Sequence, residues 1–241
     1  MAGLNDGQIH DLVSQLLEKD ADLVAKFFDQ LDKLPSLKQL MRAPLLTTLV
    51  VSVFAGMASL PQSRTELDRI FVDLMCAGWD AAKGIRRHAS FSPAIKMSVL
   101  LRLARRLRES GSREASSSIV RETINEVVDL EIGRWEALSS DIVQDGLLSR
   151  DGDSFGFAHL SFQEYLCARD LADPTTQNAF EGVRRYLQGE DWWREVAMFS
   201  VSMSSRPAQI REIAKQFAPK ASERWASIEQ AIAEAFPEHK R

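Results

Sequence analysis

The chain has few of the groups on which most catalytic and metal sites are built. Its 241 residues hold two cysteines, Cys76 and Cys167, and four histidines. Both cysteines fall on predicted helices and read as small core residues of a reducing compartment, not as a disulfide or a metal pair. The histidines at 10, 88, 159 and 239 stand far apart with no ligand spacing, so no metal site is expected. C-x-x-C and H-E-x-x-H are missing. There is no Gly-Lys dipeptide, so no G-x-x-x-x-G-K-[ST] loop can cradle a phosphate. No apolar strand ends in an acidic pair that would hold Mg²⁺. No catalytic residue is therefore expected, and the chain alone should not hydrolyse nucleotide.

A large excess of either charge is also lacking: the net charge is −4, which argues against wholesale nucleic-acid binding. The N-terminus, MAGLNDGQIHDL, lacks the basic and apolar regions of a signal peptide. The longest uncharged run, 43–63, is broken by Thr47, Thr48, Ser52, Gly56, Ser59, Pro61 and Gln62. It reads as a buried helix of a soluble core, since a membrane span needs about 20 mainly apolar residues.

What is present is helical periodicity, and the expected fold is mainly α in three parts. Residues 1–61 read as a helical domain. Asn5 or Asp6 can cap a helix bearing Ile9, Leu12, Val13 and Leu16, and Leu23, Val24, Phe27, Phe28 and Leu31 form a second stripe. Pro44 stands at the first turn of a third, nearly all-apolar helix. Residues 62–172 read as a winged helix. Capping signals at Ser63–Glu66, Ser92-Pro93 and Ser116–Ser118 open successive helices, and Trp79 points inward on the first. Trp135, Leu138 and Ile142 mark one more, stopped by Gly146. LLSRDGDSFGFA then reads as a hairpin wing around Asp151-Gly152. Residues 173–241 open at a break at Pro174 and read as a second helical domain, with stripes through Val183, Tyr186 and Leu187, then Ile210 and Ile213, then Ile228 and Ile232. The end, PEHKR, reads as a frayed polar tail.

The most informative stretch is 155–172, FGFAHLSFQEYLCARDLA. Phe155 and Phe157 alternate as on a half-buried strand. Ser161 and Glu164 have capping-box spacing, so a helix is expected to start at Ser161 with Glu164 reaching back to it. His159 then lies at the strand-to-helix joint, where unpaired N–H groups and the macrodipole favour an anion.

Phe157, His159, Ser161, Phe162, Gln163, Glu164, Tyr165, Leu166 and Ala168 resemble, in order, the end of the winged-helix domain in NACHT-type signal-transduction NTPases. MRAPLLTTLVVSV is similar to the Asn-Pro-Leu-Leu-Leu segment of the first helical domain in that family, with Ala43 in place of Asn and Thr47 in place of the third Leu. Leu60-Pro61, Arg64, Glu66-Leu67 and Trp79-Asp80 also fit, and Trp192 to Val196 resembles the start of a helix in the second helical domain. The resemblance implies that His159 contacts the β-phosphate of ADP and that Pro44 packs on the adenine. It also implies a missing nucleotide-binding core in cis or in trans, ADP or ATP bound only with that core, oligomerisation on activation, and cytoplasmic defence signalling. The chain is expected to be a piece of a larger NACHT NTPase. A free-standing helical adapter is the alternative. DNA readout is disfavoured: Arg102, Arg105, Arg106, Arg108 and Arg113 form the only basic cluster, read as a solvated or docking face, and the candidate recognition helix, 118–130, is acidic.

Overall fold

The computed structural model describes residues 3–77, 91–129, 134–172, 180–217 and 222–237. The readings at Trp79, Asp80, His88, Leu130, Pro174 and the tail beyond Pro237 lie outside the described residues. The chain divides into two compact units, Met1–Asp73 and Leu74–Arg241.

The first unit is helical. Helix α1 (Asp6–Leu16) opens on a complete capping box, with the Asn5 side chain accepting from the Gln8 N–H and the Gln8 side chain accepting from the Asn5 N–H, both at 2.9 Å. Helix α2 (Ala21–Leu31) is capped by Asp20, whose carboxylate accepts from the N–H groups of Asp22 and Leu23. Helices α3 (Pro35–Leu40) and α4 (Pro44–Met57) both start on proline, whose missing N–H costs nothing in a first turn. Val13, Phe27, Leu31, Leu37, Met41, Val50 and Phe54 are buried together, with Phe27 edge-on to Phe54 at 5.2 Å. Helix α5 (Arg64–Ala77) runs on past Asp73. Ser63 Oγ accepts from the Glu66 N–H at 3.1 Å, while the Glu66 carboxylate accepts from the Gln62 N–H, one residue before the expected partner.

The second unit is built on α6 (Pro93–Glu109), capped by Ser92. After it come strand β1 (Glu114–Ser116), α7 (Ser117–Val127), α8 (Arg134–Gln144), the hairpin β2 (Leu148–Asp151) and β3 (Ser154–Phe157), and α9 (Leu160–Leu171). The strands form one antiparallel sheet in the order β1-β3-β2, with Asp151 opposite Ser154 and Ala115 opposite Phe155. The expected wing is therefore present, turning on Gly152-Asp153, with Gly152 in the left-handed region that the tight turn requires. Strand β1 was not expected from sequence: three residues, Glu-Ala-Ser, carry no readable alternation.

Helix α9 lies against both α6 and α11 (Arg194–Met203), which follows α10 (Glu181–Leu187) and a 3-10 turn, Asp191–Trp193. It is covered on several sides, so every residue from Ser161 to Ala168 is buried, polar ones included. Helices α12 (Pro207–Lys215) and α13 (Ser222–Ala235) complete the unit, burying Ile210, Ile228 and Ile232 as their periodicity predicts.

The basic cluster is mixed: Arg102 and Arg113 stay exposed, and the others are drawn inward. Arg108 is buried, Arg105 reaches Glu109 and Asp170, and Arg102 and Arg106 pair with Glu126 and Glu122 of α7 at 3.1–3.2 Å. The acidic face of α7 neutralises the basic face of α6 within one unit. Among the described residues no helix is long and apolar enough to cross a membrane, and the uncharged run 43–63 yields only the 14 residues of α4.

Candidate functional site

At the joint between β3 and α9 the N-cap lies two residues before the one read from the sequence. Helix α9 starts at Leu160, and His159, with extended backbone at φ −144° and ψ 141°, is the N-cap. Its Nδ1 accepts from the Ser161 N–H at 3.1 Å, and its carbonyl accepts from the Phe162 N–H at 3.0 Å. Ser161 is thus the second helical residue and buried, not the N-cap. The imidazole does the capping a carboxylate or hydroxyl usually does. Because Nδ1 accepts, the neutral ring carries its proton on Nε2.

Glu164 sits on a buried face of α9. Its carboxylate accepts from Arg108 Nη2 at 3.2 Å, and the two side chains are 8% and 1% exposed. Gln163 Nε2 donates to the Ser112 carbonyl at 3.0 Å, tying α9 to the turn after α6. The Phe162 ring is buried, inclined to the His159 ring with centroids 6.0 Å apart. Phe157 ends β3, half-buried, opposite Leu148. Phe157, Ser161, Phe162, Gln163 and Glu164 therefore each have a packing or hydrogen-bonding task within this unit.

Pro44 belongs to the first unit. It is exposed at the first turn of α4. The joint before it is held by Thr47, which is fully buried and donates from Oγ1 to the Met41 carbonyl at 2.7 Å and the Ala43 carbonyl at 3.2 Å. The departure from leucine at Thr47 is thereby explained: a hydroxyl satisfies carbonyls left open where α3 gives way to α4. Arg42 adds a second tie. Its Nη1 donates to the Leu4 carbonyl at 2.9 Å, its own carbonyl accepts from the Leu4 N–H at 2.7 Å, and its guanidinium meets Asp6 at 2.8 Å.

Spacing alone would also offer Gly152-Asp-Ser-Phe-Gly156 as a hydrolase elbow. The fold rejects it, since the elbow requires a strained strand-to-helix turn. Here Gly152 makes the hairpin turn, and Ser154 opens β3 with its Oγ donating to Glu114 Oε2 at 2.7 Å. Among the described residues no group of three or more His, Cys, Asp or Glu could hold a metal ion.

Residues 64–171 match the winged helix-turn-helix domain C-terminal to NACHT. The segment is a NACHT-associated winged helix. The match runs from the first residue of α5 to the last of α9, so it encloses the hairpin wing and ends with the motif helix. No curated protein matches the chain. A NACHT-associated winged helix is not itself the catalytic NTPase domain. It stands with the NACHT core as a regulatory element.

Two buried cations in the NACHT-associated winged helix escaped the sequence reading. Besides Arg108, Lys96 is buried on α6 and meets Asp145 at 2.7 Å and Asp141 at 3.8 Å. A signal for both was there: Lys96 and Arg108 fall in step with Leu100 and Ala104, on the apolar face of the helix. A charge in register with a core stripe points to a buried partner.

Proposed function

We propose that the chain is a regulatory lid of a NACHT NTPase switch, meeting ADP that a separate nucleotide-binding core holds, in cis or in trans. The observation that supports this reading best is His159 at the N-cap of α9, at the end of a segment matching a NACHT-associated winged helix. With Nδ1 engaged by the Ser161 N–H, the ring's donor in the neutral form is Nε2, and the helix start adds positive partial charge. A diphosphate is the anion this arrangement suits. Pro44, exposed at the first turn of α4, is the residue assigned to the adenine by the family resemblance. The catalytic groups, a phosphate-cradling Lys and Mg²⁺ carboxylates, come from the core. ADP and ATP are ligands only in its presence, and no metal is bound by this chain.

A switch needs contacts that differ between its two states. In the proposed scheme the ADP-bound protein is held closed through His159, and exchange for ATP releases the lid and exposes a surface for self-association. The setting is cytoplasmic defence signalling, innate or antiphage. In the protein containing the NACHT core, His159→Ala is expected to weaken ADP retention about tenfold or more, the value of one charge-assisted hydrogen bond. The oligomeric fraction measured by light scattering should rise with it. Equal ADP retention and an unchanged oligomeric fraction in a folded variant would sink the reading.

A further inference from the structure

The Arg108 guanidinium is held in an unusual way. Nη2 donates to Glu164 and to the Trp192 carbonyl, while Nε and Nη1 are buried with no hydrogen-bond partner. The plane lies under the Trp192 indole, with Cζ 3.9 Å from the ring centroid. Trp192 answers with its own bond, Nε1 donating to the Arg108 carbonyl at 3.1 Å. Three segments meet here: the last turn of α6, the middle of α9, and the 3-10 turn that leads into α11. Glu164 is five residues from His159 along one helix, about 7.5 Å of rise.

Stability alone is a poor reason for this arrangement. A buried ion pair is often matched or bettered by apolar residues of the same volume, and two unpartnered donors add a further penalty. What the pair does that apolar side chains cannot is fix direction: a guanidinium donates along fixed lines, so α9 and the α11 turn must keep one register on α6. We infer that Arg108, Glu164 and Trp192 form a positioning joint that makes the His159 end of α9 and the C-terminal helices move as one body. The joint stands whether or not His159 meets a nucleotide.

Hydrogen exchange on the 241-residue chain tests it, comparing wild type with Arg108→Met/Glu164→Leu and with Trp192→Phe. The first variant removes the charges and keeps the volume. The second keeps an aromatic ring and removes the indole donor. In the folded double variant, exchange in 181–203 should speed about tenfold or more, with α7 and α8 unchanged and the thermal midpoint preserved. Trp192→Phe should speed the same segment by a smaller factor. Unchanged exchange at 181–203 in either folded variant overturns the joint. So does a uniform acceleration throughout the second unit, which would mark the three residues as ordinary core. If the double variant fails to fold, Trp192→Phe alone decides by the same two readouts.

Discussion

His159 carries two tasks that substitution can separate. Its ring caps α9, and its backbone carbonyl accepts within the first turn whatever the side chain. His159→Ala should lower stability by about 1 kcal/mol through loss of the cap, and His159→Asn, which caps well, should restore it. Urea unfolding of the three proteins checks this. If the nucleotide contact is also real, the Asn variant stays stable and still leaks ADP. Thr47→Val should cost about 1–2 kcal/mol in the same assay, because a buried donor is taken from the Met41 carbonyl. Cys167 is a third case. Burial pushes its thiol well above the ordinary value of 9.0. The folded chain should therefore leave Cys167 unreactive toward a thiol reagent. Above pH of about 9 the unfolded chain ionises this thiol and the folded chain does not, so stability should fall as pH rises. A folded-state thiol titration that finds Cys167 labelled as fast as in denaturant would contradict this.

At the scale of elements, the close approach of α10 to α11 makes its own prediction. A Cβ on Gly182 would lie 2.8 Å from Val196 Cγ1. Gly182→Ala should therefore cost about 1–3 kcal/mol, read as a lowered midpoint of unfolding. Such contacts mark the limit of sequence reading. Helices α1, α2, α4, α6 and the wing were legible because caps, prolines and 3.6-residue stripes are local signals. The sequence also named the motif around His159 correctly as a strand-to-helix joint. It misplaced the N-cap by two residues because two cap candidates, His159 and Ser161, compete, and only tertiary packing, which draws Glu164 toward Arg108, decides between them. Strand β1 and the pairs of Arg102, Arg106 and Arg108 were invisible for a like reason: each depends on a partner far away in sequence.

For the molecule as a whole, the fate of the arginines bears on partner choice. With Arg102, Arg105 and Arg106 answered by carboxylates and Arg108 buried, little unpaired positive charge on α6 is left to release counterions from a duplex. Gel-shift titration at low salt should show no retardation of duplex DNA, and a shift that collapses steeply with salt would overturn the expectation. The sheet also has a kinetic consequence. Its middle strand, β3, joins β2 through a two-residue turn but joins β1 across some 40 residues, as the Ser154–Glu114 bond marks. Closing the longer loop costs about 2 kcal/mol more entropy than a short one. The hairpin can zip within microseconds on its own, whereas β1 must wait for α7 and α8 to fold the intervening chain back. The last bonds of the wing to form on refolding, and the first to open under load, should be those between Glu114–Ser116 and Ser154–Gly156.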